Sequence, residues 1–263
     1  MREENITFVG HGRQIDGYLV RPDGIGPHPA IIVLMEIWGV DGHIRDVAQR
    51  FAAQGFVALA PDMYTDQYKE AMKPDNIMAG MMFLRQASPE IQRDPAKMAD
   101  ALKDRTPEEQ IALKALMQVM SSETRQTFAE ELVGAVDYLK KRPEVDAQRI
   151  ASLGFCFGGG LSANLATLSP DLWKSVIFYG ENPPLDRVSQ IRAEVLALYG
   201  GKDRRITDLV PAFQRAMDEA DKPFTYKVYG NAQHAFFNDT RPMYHPYAAK
   251  DAWYEVLRFL NVG

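Results

Sequence analysis

Arg149-Ile150-Ala151-Ser152-Leu153-Gly154-Phe155-Cys156-Phe157-Gly158-Gly159-Gly160-Leu161-Ser162-Ala163-Asn164-Leu165 runs from a short apolar segment through a glycine-flanked cysteine into a helical pattern. The core of it is G-x-C-x-G at a strand-to-helix junction. The spacing has a steric cause: a residue held in so sharp a turn needs glycines two positions before and after it, where the strand and helix backbones cross. A thiol at that point lies at the first turn of a helix, where free N–H groups and the macrodipole favour the thiolate. The N–H of Phe157, the next residue, is then a candidate oxyanion donor. A lone cysteine is usually a small buried apolar residue, and the two flanking glycines turn that reading toward a nucleophile. A dinucleotide loop does not fit, because Gly158-Gly159-Gly160 lacks the G-x-G-x-x-G spacing.

Outward from the junction, strand-like and helical segments alternate. Ile6-Thr7-Phe8-Val9 and Ile15 to Val20 flank His11-Gly12 and predict an antiparallel hairpin. Strands follow at 30–35, 56–60, 149–153, 175–179, 194–199 and 224–229, with helices near 43–54, 157–168, 207–220 and 246–260. This alternation predicts a mostly parallel central sheet flanked by helices, an α/β class fold in a single domain over 1–263. The interval of about 64–126 breaks the rhythm before the nucleophile helix. Met78, Met81, Met82 and Arg85, and again Leu113, Leu116, Met117 and Met120, fall at helical spacing. They predict two amphipathic helices separated by turns at Pro89, Pro95 and Pro107, a helical, cap-like excursion. A helix with apolar face Phe128, Leu132, Ala135, Val136 and Leu139 returns the chain to the sheet.

A thiol nucleophile needs a base, and the base needs an acid that fixes its tautomer, in the chain order nucleophile, acid, histidine. Leu196 to Tyr199 ends in Gly200-Gly201-Lys202-Asp203, a strand followed by a glycine turn and an aspartate. Tyr226 to Tyr229 is followed by a loop that reaches His234. Of the five histidines, only His234 follows a late core strand; His11, His28, His43 and His245 lie in loops or at a helix start. Cys156, Asp203 and His234 are therefore the candidate triad. No H-E-x-x-H and no paired histidines at ligand spacing occur, so no metal site is expected.

Bulk properties exclude other classes. The chain has 263 residues, 46% hydrophobic and 25% charged, with a formal net charge of −5 and no basic stripe, so nucleic acid is not an expected partner. The longest apolar run, Ala30 to Met35, is far too short to span a membrane. Met1-Arg2-Glu3-Glu4-Asn5 lacks the basic and apolar regions of an export signal, which predicts a cytoplasmic protein. One cysteine permits no internal disulfide. A monomer or weak homo-oligomer is expected.

These stretches together resemble the dienelactone hydrolase family of the α/β-hydrolase fold. The resemblance rests on Val33-Leu34-Met35-Glu36-Ile37-Trp38-Gly39, Ala60-Pro61-Asp62-Met63-Tyr64, Gly154 to Gly160, Gly200 to Asp203 and His234-Ala235-Phe236, and so covers nearly the whole chain. It implies that Glu36 holds the thiol close to neutral at rest until substrate lets it ionise against the histidine. It also implies that Ile37 gives the second oxyanion N–H, that Tyr179 is an active-site tyrosine and that Trp38 borders the pocket. The resemblance further implies two arginines on a substrate carboxylate. The position four residues after the histidine is Asn238, with Arg241 nearby, while Arg85, Arg93, Arg105 and Arg125 are candidates for the other.

The expected activity is hydrolysis of small-molecule carboxylic esters or lactones through an acyl-enzyme, without a cofactor. Acyl transfer or thioester cleavage would use the same residues, and a ligand-binding protein without turnover would keep the same pocket.

Overall fold

A computed structural model describes residues 1–262, which fall into two compact units, 1–63 with 126–262 and Tyr64–Arg125. The first unit is built on one eight-stranded sheet. In chain order its strands are β1 (Arg2–Gly10), β2 (Arg13–Arg21), β3 (His28–Leu34), β4 (Val57–Pro61), β5 (Val145–Phe155), β6 (Lys174–Phe178), β7 (Glu194–Gly200) and β8 (Phe224–Tyr229). They lie side by side as β1-β2-β4-β3-β5-β6-β7-β8. The first two pairings, β1 with β2 and β2 with β4, are antiparallel, and all the others are parallel.

Local sequence explains the elements. His11 and Gly12 both have positive φ, the backbone that a two-residue hairpin turn demands. Ala30 to Leu34 of β3, Val57 to Pro61 of β4 and Val176 to Phe178 of β6 are continuous apolar runs because both faces are covered. Helix α1 (Gly42–Ala53) is capped by Asp41, whose carboxylate accepts the N–H of Ile44 at 3.1 Å. It buries Ile44, Val47, Ala48 and Phe51 toward the sheet.

The second unit carries four full helices rather than the expected two: α2 (Pro74–Gln86), α3 (Pro89–Arg93), α4 (Pro95–Lys103) and α5 (Pro107–Val119). Pro89, Pro95 and Pro107 start helices rather than merely separating them. Proline lacks only an N–H that a first turn leaves unpaired anyway, and its φ is already helical. Ser88, Asp94 and Thr106 cap these starts, and Thr106 with Glu109 forms a reciprocal capping box. The packed face matches the expected one at Leu113 and Leu116 and differs from it at the methionines. Ile77, Gly80, Leu113 and Leu116 are buried, while Met78, Met81, Met82, Met117 and Met120 are exposed. Gly80 decides this, since a Cβ there would lie 2.6 Å from the Leu116 side chain.

Helix α6 (Ser122–Lys140) returns the chain to the sheet, and α7 (Phe157–Leu168) follows the central strand β5 directly. A buried hydroxyl chain fastens α7 to the sheet. Ser162 of α7 meets Ser152 of β5 at 2.7 Å and Ser175 of β6 at 2.9 Å. The helix expected near 207–220 is α9 (Val210–Glu219), with Pro211 in its first turn, and a short α8 (Arg204–Thr207) that was not expected precedes it. Helix α10 (Pro246–Phe259) ends the described chain.

Between β5 and α7 the chain reverses at Cys156, with φ 55° and ψ −113°. At Gly154 the turn brings the backbone so close that a Cβ would stand 1.9 Å from the carbonyl oxygen of Gly158. Gly154→Ala is therefore expected to lose at least about 3 kcal/mol in chemical denaturation or to fail to fold. A loss below about 1 kcal/mol would show that the turn can relax around a methyl group.

Candidate active site

Apart from the four candidate arginines between 85 and 125, the predicted site residues belong to the first unit and come from the carboxyl end of a parallel strand or the loop after it. Glu36, Ile37 and Trp38 follow β3, Cys156 follows β5, Tyr179 follows β6, Asp203 follows β7, and His234 to Arg241 follow β8. In parallel sheets this edge is where loops converge and ligands bind.

Cys156 is partly exposed, and its N–H is held by the carbonyl of Phe178 at 2.9 Å. Phe157 is the first residue of α7, so its N–H is one of those a helix start leaves without an internal acceptor. Ile37 is nearly buried in the turn after β3. Asp203 caps α8, its backbone carbonyl receiving the N–H groups of Ile206 and Thr207.

The loops carrying Asp203 and His234 are stitched together by backbone bonds from Gly201 to Tyr229 and from Lys202 to Ala232, at 2.9 and 3.0 Å. Gly200 permits that approach, since a Cβ there would fall 2.4 Å from the carbonyl oxygen of Gln233. As a result, Nδ1 of His234 lies 2.5 Å from Oδ2 of Asp203. Burial pushes the imidazole pKa down, but charge at Cys156 and hydrogen bonds with Asp203 and Cys156 outweigh it and raise it to about 10. Asp203 thus takes Nδ1 of the ring, and Cys156 is the other hydrogen-bonding neighbour of His234.

Glu36 is 3% exposed, and its carboxyl accepts two hydrogen bonds, from Tyr179 Oη to Oε1 at 3.3 Å and from Asn238 Nδ2 to Oε2 at 2.7 Å. Its pKa is raised, chiefly by burial and further by Asp41, against the two donors and His234. Tyr179, fully buried with φ 39°, packs edge-on against the His234 ring at 5.1 Å. Burial, then the nearby charges of Glu36 and Cys156, hold its phenol well above the usual range.

The structure does not place Asn238 on a pocket surface: it is 0% exposed and spends its amide on Glu36. Arg241 instead lies over the Trp38 ring, 4.2 Å from its centroid, with a buried Nε that has no hydrogen-bond partner. Arg105 stacks on Phe83 and Arg125 donates to the Ser121 carbonyl, both within the second unit. Thr240, which fixes Asn238, escaped the sequence reading. The signal was local, an Asn-Asp-Thr stretch in which the asparagine side chain accepts from the residue two positions on.

The model of the dienelactone hydrolase family matches residues 15–262. The chain belongs to the dienelactone hydrolase family. A Saccharolobus solfataricus protein named "putative carboxymethylenebutenolidase" is 34% identical over 260 residues, covering 98% of each chain. A Klebsiella pneumoniae crystal structure described as a "putative dienelactone hydrolase" superposes with a TM-score of 0.69 at 28% identity over 99% of both chains. A dienelactone hydrolase structure from Anabaena variabilis, at 16% identity and a TM-score of 0.63, covers 98% of this chain and 95% of its own. This dienelactone hydrolase-like protein is a hydrolase of the ester and lactone class. Among the described residues no cluster of three or more His, Cys, Asp or Glu could hold a metal, and no helix is long and apolar enough to cross a membrane.

A histidine whose folded pKa lies above its unfolded value of about 6.5 adds stability fully below that pH. The contribution fades as pH rises toward about 10, where the folded ring loses its proton. In an NMR titration the His234 ring is expected to change charge near pH 10, and Cys156→Ser is expected to lower that midpoint by more than about one unit. A wild-type midpoint near 6.5 would show that the sulfur and the ring are not coupled.

Proposed function

We propose that the protein hydrolyses carboxylic esters or lactones with Cys156 as nucleophile, His234 as general base and acid, and Asp203 as the group that orients the ring. The observation that carries this reading is the line from Asp203 Oδ2 through the imidazole to Cys156, made at a strained turn on a helix N-terminus.

The chemistry follows from the groups. His234 takes the thiol proton as the sulfur attacks the carbonyl carbon, and the C=O electrons move to an oxyanion received by the N–H groups of Ile37 and Phe157. The oxyanion collapses, the C–O bond breaks, and the imidazolium gives its proton to the departing oxygen, leaving a thioester. Water, deprotonated by His234, attacks that thioester through the same oxyanion, and the acid leaves as the proton returns to the sulfur–imidazole pair. Glu36 acts before the first attack: its negative charge opposes the thiolate until substrate enters. The substrate pocket is bordered by Trp38 and Arg241, with Tyr179 buried behind the His234 ring. An arginine spread on an indole face, with a buried N–H still unpaired, suits a planar anion, which points to substrates that carry a carboxylate.

Cys156→Ala is expected to abolish hydrolysis of activated short esters, with at least about a 10³-fold fall in kcat, while circular dichroism and melting stay native-like. Retained turnover would refute the nucleophile. Arg241→Ala is expected to cut kcat/KM for a carboxylate-bearing ester by about 10- to 100-fold and that for its neutral analogue by less than about 2-fold. Equal losses on both substrates would remove the anion role.

A further inference from the structure

Asn238 is among the most deeply buried polar residues of the protein, and both ends of its amide are committed. Its Oδ1 accepts from the backbone N–H of Thr240 at 3.0 Å and from the Thr240 hydroxyl at 2.7 Å. A backbone N–H can only donate, so the oxygen of the amide must face Thr240 and the NH₂ must face Glu36. The 2.7 Å bond to Oε2 is therefore a true donation into the carboxyl, and the Tyr179 hydroxyl donates to the other oxygen.

The choice of donor matters. A lysine or arginine at this place would lock Glu36 as an anion by charge, whereas an amide orients the carboxylate without neutralising it. Backbone bonds from Asn238 N to the Ala235 carbonyl and from Arg241 N to the Asn238 carbonyl fold this segment directly onto the loop that carries His234. One short stretch, residues 234–241, thereby presents the proposed base and also steadies the acidic group on the opposite strand end.

We propose that Asn238, held in one orientation by Thr240, is a positioning residue that fixes the Glu36 carboxylate so that its charge restrains the Cys156 thiol in the resting protein. The proposal rests on the assignment of Cys156 as nucleophile and Glu36 as its restraint. The ionisable groups facing this pair are Asp41 before α1, Tyr179 after β6, Asp203 after β7 and His234 after β8, all of which stay in place in the variants below.

Because Cys156 is the only cysteine of the chain, its ionisation can be followed by the pH dependence of alkylation with iodoacetamide. Glu36→Gln is expected to move the alkylation midpoint down by about one pH unit, since the opposing charge is gone. Asn238→Leu is expected to shift it in the same direction by a similar amount, because a buried carboxylate that loses a donor gives up its charge more readily. The double variant is expected to match Glu36→Gln alone. Thr240 is exposed, so Thr240→Val serves if Asn238→Leu does not fold, with a smaller downward shift expected. A midpoint unmoved in the folded member of that pair, or a double variant that shifts by the sum of the singles, overturns the positioning role. An unmoved midpoint in Glu36→Gln overturns the restraint and the positioning role together, and full ester hydrolysis after complete alkylation overturns the nucleophile assignment on which both stand.

Discussion

The backbone of Cys156 is held at φ 55°, a conformation that a side chain with a Cβ rarely adopts, and the layout of the site depends on that one reversal. It is sustained from several sides. Gly154 leaves room for the helix to fold back over the strand, the Phe178 carbonyl takes the cysteine N–H, and the Ser152, Ser162 and Ser175 hydroxyls hold α7 on the sheet. The reversal lifts the sulfur off the central strand and sets it at a helix start. There it is partly open, while Phe155 just before it is completely buried among Phe178, Tyr179 and Phe237.

Around that sulfur two ionisable groups are treated in opposite ways. His234 is given Asp203 on Nδ1 and Cys156 as a second hydrogen-bonding neighbour, and these partners outweigh the burial that would discharge the ring. Glu36 is given only neutral donors, Tyr179 and Asn238, and burial prevails. The ring is thereby favoured in its charged form and the carboxyl in its neutral form, although both lie on the same edge of the sheet. The Trp38–Arg241 stack adds a third element, an indole covered by a guanidinium whose buried Nε has no hydrogen-bond partner among the described residues.

Legibility in the sequence tracked distance along the chain. The strand–glycine–cysteine–glycine–helix run, the Asp203 turn and the His234 loop each lie within about a dozen residues, and steric rules acting over that span leave little choice of structure. The prolines of the Tyr64–Arg125 unit were visible too, yet their role as helix starts depended on the caps before them, Ser88, Asp94 and Thr106. Which helical face that unit buries hinged on Gly80 meeting Leu116, a contact that periodicity of methionines does not reveal.

By itself the sequence determined the order of the strands, the family, and the residue types that could act as nucleophile, base and acid, because each is written in local spacing. Only the tertiary structure decided what those residues face. Asn238 lies two hundred residues from Glu36 and Arg241 about as far from Trp38, and nothing local predicts that sheet order will bring the end of β3 and the loop after β8 together. Buried polar groups must find partners wherever folding delivers them. For Asn238 that partner is a carboxylate and not a substrate.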